Sequence, residues 1–160
     1  MTWLAPEHSF ERGCAQRGFS LLEVLIAIVI LAIGLLGVAR LQANSVGFNH
    51  GAYLRSQATL QVYDMADRMR SNMPGVTAGN YNAIAGTPAD PNCFAAGCTP
   101  AQMAQYDTFE WNTANAAQLP GGVGTVTGSG AGSVFTITVT WTEMSEDTPV
   151  TGSVQSTVRL

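Results

Sequence analysis

The chain has no lysine and few charged residues of any kind. Its 160 residues include seven basic side chains, all arginine, against eleven acidic ones, so the formal net charge is −4. A protein that binds nucleic acid normally shows a basic patch or stripe. The composition therefore argues against that function, and we expect no nucleic-acid partner.

Motifs of catalysis and metal binding are also missing. The chain has two histidines and three cysteines, and it contains no nucleophile elbow, phosphate-binding loop or cluster of metal ligands. Glu143, Glu146 and Asp147 form an acidic segment, but they lack the spacing of an EF-hand calcium loop, which favours a solvated turn. We therefore expect neither an enzyme nor a bound metal or cofactor.

One long apolar run is present, and no other segment is comparably apolar. Besides apolar side chains and alanine, residues 19–39 contain only Ser20, Glu23 and two glycines. A helix needs about 20 residues to cross the hydrocarbon core of a bilayer. The run has 21 residues, so it predicts a membrane-spanning helix.

Glu23 is the one charged residue in this run. A carboxylate inside a membrane span costs a few kcal/mol, so such residues are rare and usually face a partner. The alternative is that Glu23 lies in the interfacial layer, where an acid interacts favourably with the start of a helix. Gly18 precedes the run, and Arg12 and Arg17 lie upstream. This context favours a functional role for the carboxylate.

The segment Gly18-Phe19-Ser20-Leu21-Leu22-Glu23 resembles the processing signature of type IV pilins and of type II secretion pseudopilins. The resemblance implies that prepilin peptidase cleaves between Gly18 and Phe19 and methylates the new N-terminal residue, Phe19. It also implies that Glu23 supports subunit docking by attracting the positively charged N-terminus of a neighbouring subunit.

The predicted leader, residues 1–18, lacks the apolar core of roughly 7 to 15 residues that a secretory signal peptide carries. We expect Cys14 to be removed with this leader. The short leader, which contains two arginines, should stay in the cytoplasm while the acidic remainder is exported. This orientation predicts a single-pass membrane protein with an exported head. The resemblance to pilins implies that the membrane is the bacterial inner membrane, whose lipid the helix contacts before assembly, and that the periplasmic head later belongs to a pilus at the cell surface.

Cys93 and Cys98 are the two cysteines that follow the leader. Disulfides persist outside the cytoplasm, and a spacer of four residues can bring the two Cα atoms within disulfide reach. A zinc site is the alternative, but two cysteines without a nearby histidine or second pair supply too few ligands. The sequence favours the disulfide.

Residues 40–73 predict an amphipathic continuation of the membrane helix. Apolar side chains recur there at spacings of three or four, and we expect them to face a core: Leu54, Ala58, Val62, Met65, Met69 and Met73. Two charge pairs, Asp64 with Arg68 and Asp67 with Arg70, are expected on a solvated face. Pro74-Gly75 is expected to end the helix, because proline disfavours helical geometry at the residue before it.

The predicted head, residues 74–160, begins with a loop at 75–98 that is rich in glycine, alanine, proline and asparagine. A shorter helix is expected at about 99–118. Thr99 and Gln102 have the spacing of a reciprocal cap, and Pro100 would take the first helical position.

The rest of the head, about 123–160, predicts an antiparallel sheet of three or more strands. Its clearest strand alternates threonine with large apolar residues, the latter being Phe135, Ile137, Val139 and Trp141. A turn is expected from Met144 to Pro149. Together the elements predict an α+β, pilin-like fold in which the C-terminal half of a long N-terminal helix packs on a small antiparallel sheet.

Three further segments, residues 31–42, 65–72 and 106–122, are similar to the PilV-type minor pilins. The resemblance implies a minor pilin that acts in the priming of pilus assembly and lies with other minor pilins at the fibre tip. Its implied partners are prepilin peptidase, other minor pilins and the major pilin, through the N-terminal helix, and a tip adhesin. A minor pseudopilin of a type II secretion system is the alternative.

Overall fold

The computed structural model describes residues 18–130, 132–145 and 148–160. They divide into two compact units, of which one ends at Asn44 and the other runs from Ser45 to Leu160. The predicted leader, apart from Gly18, lies outside the described residues, and so do Cys14, Glu146 and Asp147.

Helix α1 (Leu21–Ser71) contributes the whole helical part of the first unit. Every residue from Leu21 to Asn44 is exposed. The most apolar stretch of 18 residues has a mean hydropathy of 2.9, and none of it is buried. A helix that is apolar all round and uncovered is suited to lipid or to packing against other helices.

Within the second unit, α1 buries one face in the core of the head. Five of its seven buried residues are those expected from the helical spacing: Leu54, Ala58, Val62, Met65 and Met69. Gln61 and Ala66 are buried as well. The prediction is wrong for Met73, which is 39% exposed. Because α1 ends at Ser71, Met73 lies in the next helix and no longer continues the apolar stripe.

The break after α1 lies at Asn72 and precedes the proline. The Asn72 side chain accepts a hydrogen bond of 3.2 Å from the amide of Gly75 and so caps helix α2 (Met73–Thr77). Pro74 lies in the first turn of α2, where the missing N–H of proline costs nothing. The prediction that Pro74-Gly75 ends a helix is therefore wrong, since this dipeptide begins one.

Two further short elements follow in the segment that was expected to be a loop: strand β1 (Ala83–Ile84) and helix α3 (Cys93–Ala96). Helix α4 (Pro100–Gln118) comes next, and its predicted cap is confirmed. Thr99 Oγ1 accepts a hydrogen bond of 3.3 Å from the Gln102 amide, while Gln102 Oε1 accepts one of 3.0 Å from the Thr99 amide. These bonds satisfy two amides that the start of a helix otherwise leaves unpaired.

The sheet is antiparallel with the order β1-β2-β3-β4. After β1 its strands are β2 (Val123–Thr127), β3 (Val134–Ser145) and β4 (Thr148–Arg159). The predicted turn from Met144 to Pro149 lies between the two strands, but its bounds are too wide, because Met144 and Pro149 pair with each other across β3 and β4. The hairpin ladder thus continues to the pair Ser145 and Thr148.

The core of the head lies between the sheet, α1 and α4. The four large apolar residues of β3 are buried as predicted, and Trp111 of α4 joins them without measurable exposure. The Trp111 indole donates a hydrogen bond of 2.8 Å to the carbonyl of Gln61 in α1. The predicted α+β architecture, a long helix on a small antiparallel sheet, is confirmed.

Candidate functional site

The signature Gly18 to Glu23 lies at the boundary between extended chain and helix. Gly18, Phe19 and Ser20 precede α1 and are exposed, and Phe19 is 84% exposed. The peptide bond between Gly18 and Phe19 is therefore non-helical and open to solvent in this unit. A bond in this state can enter a peptidase active site without the prior melting of a helix.

Ser20 starts α1 through both its side chain and its backbone. Its Oγ accepts a hydrogen bond of 3.3 Å from the Leu22 amide, and its carbonyl accepts bonds from the amides of Glu23, at 3.1 Å, and Val24, at 3.3 Å. Glu23 consequently lies in the first turn of the helix. Its carboxylate is close to the positive end of the helix dipole, which stabilises the charge, so the interfacial interpretation and the docking interpretation both fit this position.

The residues around and after Glu23 present an apolar surface on all sides of the helix. Its large side chains are all between 47% and 90% exposed: Leu21, Leu22, Val24, Leu25, Ile26, Ile28, Val29, Ile30, Leu31, Ile33, Leu35, Leu36, Val38 and Leu41. Water is a poor environment for so much continuous apolar surface. This part of α1 therefore requires lipid or other apolar helices around it.

A partly buried polar cluster, which sequence reasoning missed, joins α1 to α4 in the head. We call it the Asp107 cluster; it consists of Asp64, Arg68, Asn72, Tyr81 and Asp107. Arg68 contacts Asp64 at 2.8 Å and Asp107 at 3.6 Å. The Tyr81 hydroxyl donates to the Asp107 carboxylate and accepts a hydrogen bond of 3.0 Å from the side-chain amide of Asn72. The prediction of a solvated Asp64 and Arg68 pair is wrong for Arg68, whose side chain is only 28% exposed.

The electrostatics of the Asp107 cluster keep the tyrosine neutral and the arginine charged. Burial raises the pKa of Tyr81, and the hydrogen bond to Asp107 raises it further. Burial works against the charge of Arg68, but its hydrogen bond and attraction to Asp64 outweigh this effect, so the pKa of Arg68 is raised. The cluster therefore connects α1, the turn before β1 and α4. One signal in the sequence could have revealed the burial of Asp107. It has the helical spacing of the apolar residues Ala104 and Trp111 on the buried face of α4.

Cys93 and Cys98 form a disulfide with Cα atoms 5.1 Å apart. It closes a ring of six residues that includes helix α3. In the described ranges, no three or more histidine, cysteine or acidic side chains come together as a metal site. The pair thus acts as a covalent clamp on the loop before α4.

Two family models match consecutive parts of the chain. The model of the prokaryotic N-terminal methylation motif matches residues 14–39. The model described as type IV pilin Tt1218 matches residues 40–109. A search of curated proteins finds no match, and a search of solved structures finds none either.

The boundaries of these matches agree with the architecture. The first match contains the signature and the exposed apolar part of α1, and the second contains the buried part of α1 and most of the head that precedes strand β2. Pilins are structural subunits that assemble with other pilins after processing by prepilin peptidase, and membership implies no enzymatic activity. The methylation motif, the long N-terminal helix and the antiparallel sheet together identify the chain as a member of the type IV pilin superfamily.

Proposed function

We propose that the chain is a PilV-type minor pilin, which joins other minor pilins in a complex that primes pilus assembly and stays at the fibre tip. The observation that supports this most directly is the exposed apolar helix with one carboxylate in its first turn, preceded by the methylation signature. The similarity of residues 65–72 and 106–122 to PilV-type proteins supports the narrower assignment.

Processing would convert a membrane protein into an assembly-competent subunit. Prepilin peptidase would cut between Gly18 and Phe19 at the cytoplasmic face, remove residues 1–18 and methylate Phe19. Residues 19–39 would then hold the subunit in the inner membrane as a single span, continued by residues 40–73. The head, residues 74–160, would lie in the periplasm.

Docking would pair Glu23 of one subunit with the methylated amine of Phe19 in its neighbour. Both charges would lie among apolar helices, where a charge without a partner is costly. Removing one member of a buried ion pair costs about 3–5 kcal/mol, because the other charge stays buried. This penalty makes Glu23 a selector of axial register, since only the correct register brings the two charges together.

The central experiment is mass spectrometry of purified, sheared fibres. We expect a peptide that begins at N-methyl-Phe19. Its absence from fibres of a strain that accumulates the processed protein would contradict the assignment to the pilus.

A second experiment tests the docking residue. We expect Glu23→Ala to reduce recovery of this subunit in fibres by tenfold or more, while Gln42→Ala, at another exposed polar position of the same helix, leaves recovery within twofold. The processed form is measured by mass in both variants, so that a failure of cleavage is separated from a failure of docking. Unchanged fibre incorporation of processed Glu23→Ala would exclude the docking role.

The second candidate is a minor pseudopilin of a type II secretion system. The signature from Gly18 to Glu23 favours it equally, because both systems share it. Deletion of the gene separates the two candidates: loss of surface fibres supports the minor pilin, whereas intact fibres with a block in protein export support the pseudopilin.

A further inference from the structure

Most of the head beyond α1 contains no positively charged residue. From Ser71 to Val158 the sequence contains no lysine, arginine or histidine. The same segment contains six acidic residues: Asp90, Asp107, Glu110, Glu143, Glu146 and Asp147. Of these six, Asp107 is buried against Arg68 and Glu143 pairs with Arg55, while Glu146 and Asp147 lie outside the described residues. The two that remain are Asp90 and Glu110, and carboxylates on a surface repel anionic partners and attract cationic ones.

Phe94 is an exposed aromatic residue in this region. Phe94 is 89% exposed, although large aromatic side chains normally bury most of their area. It lies inside the six-residue ring that the Cys93–Cys98 disulfide closes. Its ring makes an edge-to-face contact with Tyr106 of α4, with the ring centroids 5.7 Å apart and the planes at 89°.

The loop that carries Phe94 is held in place by several contacts. Besides the disulfide, Gln105 of α4 donates a hydrogen bond of 2.7 Å to the carbonyl of Ala89, and Asp90 accepts one of 2.8 Å from the amide of Asn92. A side chain that is held in place loses little freedom when it binds, so more of its contact energy appears as affinity. Phe94 thus has the exposure and the rigidity of an interface anchor.

Two carboxylates lie near Tyr106, one of the two aromatic residues. Desolvation, the charge and hydrogen bond of Glu110, and the charge of Asp90 raise the pKa of Tyr106. The Tyr106 hydroxyl therefore lies within the field of both acids. We call Asp90, Phe94, Tyr106 and Glu110 the Phe94 patch.

We propose that the Phe94 patch docks a basic segment of another exported protein, with an arginine or lysine side chain placed against the aromatic rings and between the two carboxylates. A cation on an aromatic face is attracted by the negative charge density of the ring. Asp90 and Glu110 add charge attraction at the edge of the same patch. A guanidinium group suits both features, because it stacks on rings and pairs with carboxylates.

The patch lies far along the chain from the signature at Gly18 and is a second contact surface besides α1. The inference rests on the proposed function only in placing the head outside the cytoplasm. A subunit that contacts neighbours through α1 alone would have no way to distinguish them by their heads. The Phe94 patch supplies such a distinction.

The test uses the full-length protein in cells, with a photo-cross-linking p-benzoylphenylalanine at Ala95, which leaves Phe94 intact. The control places the same group at Met144, another apolar side chain with 67% exposure. We expect a cross-linked product at position 95 that is absent at position 144. Mass spectrometry should map it to a segment of another protein with an arginine or lysine close to the cross-linked residue.

Variants of the patch then test the chemistry of docking. Phe94→Leu keeps an apolar side chain without an aromatic face, and we expect it to lower the cross-link yield roughly tenfold, as expected for an anchor residue. Glu110→Gln removes charge but can still accept a hydrogen bond, and a loss of roughly twofold to fivefold is expected for one exposed ion pair. Glu110→Arg should lower the yield further, and reversing the charge of the mapped basic residue should restore it.

Several results would overturn the proposal. These are a product no stronger than at position 144, a yield that Glu110→Arg leaves unchanged, and a product that maps to a second copy of this chain, to a glycan or to a segment without a basic residue. The pilus assignment is tested separately by the N-methyl-Phe19 peptide in fibres. A charge-dependent cross-link without that peptide would support docking and reject the pilus assignment.

Discussion

The Asp107 cluster offers the sharpest test of what holds the head together. The carboxylate of Asp107 is 9% exposed and is the common partner of Arg68 and the Tyr81 hydroxyl. Asp107→Ala would remove both interactions at once. It would also leave a buried tyrosine hydroxyl without its acceptor, which is the more costly consequence.

The size of the effect follows from these two contacts. A hydrogen bond to a charged group contributes about 1.5–3 kcal/mol. The contact between Arg68 and Asp107 is 3.6 Å long and Arg68 is partly exposed, so it adds less than about 1 kcal/mol. We therefore expect Asp107→Ala to lower the free energy of unfolding by about 3 kcal/mol, a fall in Tm of roughly 10 °C for a unit of this size.

The assay is thermal unfolding of the full-length protein in detergent, followed by near-ultraviolet circular dichroism, which reports on the packed aromatic side chains. Asp107→Asn retains an oxygen that can accept from Tyr81, so it should cost less than half as much as alanine. The matched control is Asp67→Ala in α1. Asp67 is 73% exposed and pairs with Arg70 at 2.6 Å, so its loss should cost under about 0.5 kcal/mol.

Two results would refute the reasoning about Asp107. One is an alanine variant as stable as the Asp67→Ala control, which would mean that the cluster contributes nothing. The other is an asparagine variant as unstable as the alanine variant, which would mean that the charge, and not the hydrogen bond to Tyr81, carries the stabilisation.

Three further predictions concern the head. The pKa of Tyr81 is raised above its ordinary value of 10.0, so the stabilisation that the neutral Tyr81 side chain provides is complete below pH 10 and falls as the pH rises beyond it. The difference in the free energy of unfolding between wild type and Tyr81→Phe should therefore shrink above pH 10. A constant difference in alkaline denaturation curves would contradict this. Thr99→Ala should lower the free energy of unfolding in urea by about 1 kcal/mol, because α4 loses its N-cap. The control is Thr113→Ala, at an exposed position inside α4, and an equal cost there would show that capping is not the cause. A Cβ on Gly152 would collide with the Trp141 indole, so Gly152→Ala should destabilise the protein by about 1–3 kcal/mol, measured by urea unfolding with Trp141 fluorescence; an unchanged midpoint would show that β4 moves away freely.

Local patterns were sufficient for the regular elements. The period of α1 after residue 45 identified five of its buried residues because each turn repeats the same face. The Thr99 cap could be predicted because its partner Gln102 lies three residues away. The alternation in β3 correctly separated its buried side from its partly exposed side. In each case the determining contacts lie within one element.

The errors occurred where the partner lies far along the chain. Asn72 ends α1 because its amide group contacts Gly75, Tyr81 and the carbonyl of Pro100, and no local pattern shows the last two contacts. Strand β1 consists of two residues whose strand geometry depends on β2. An element this short has no period of its own that could predict it. Pro74 was the more visible marker of the end of α1, but it was the wrong one, because α1 ends at Ser71.

The sequence by itself determined the parts of this protein that depend on composition and short spacing: the processing signature, the apolar helix with Glu23 near its start, and the α+β class. These features act through solvent and neighbouring residues, so the order of amino acids is enough to reveal them. Tertiary structure alone decided that Arg68 and Tyr81 meet at Asp107, and that Phe94 stands exposed against Tyr106. Both arrangements join residues from separate elements, and only the packing of those elements brings the side chains within contact distance.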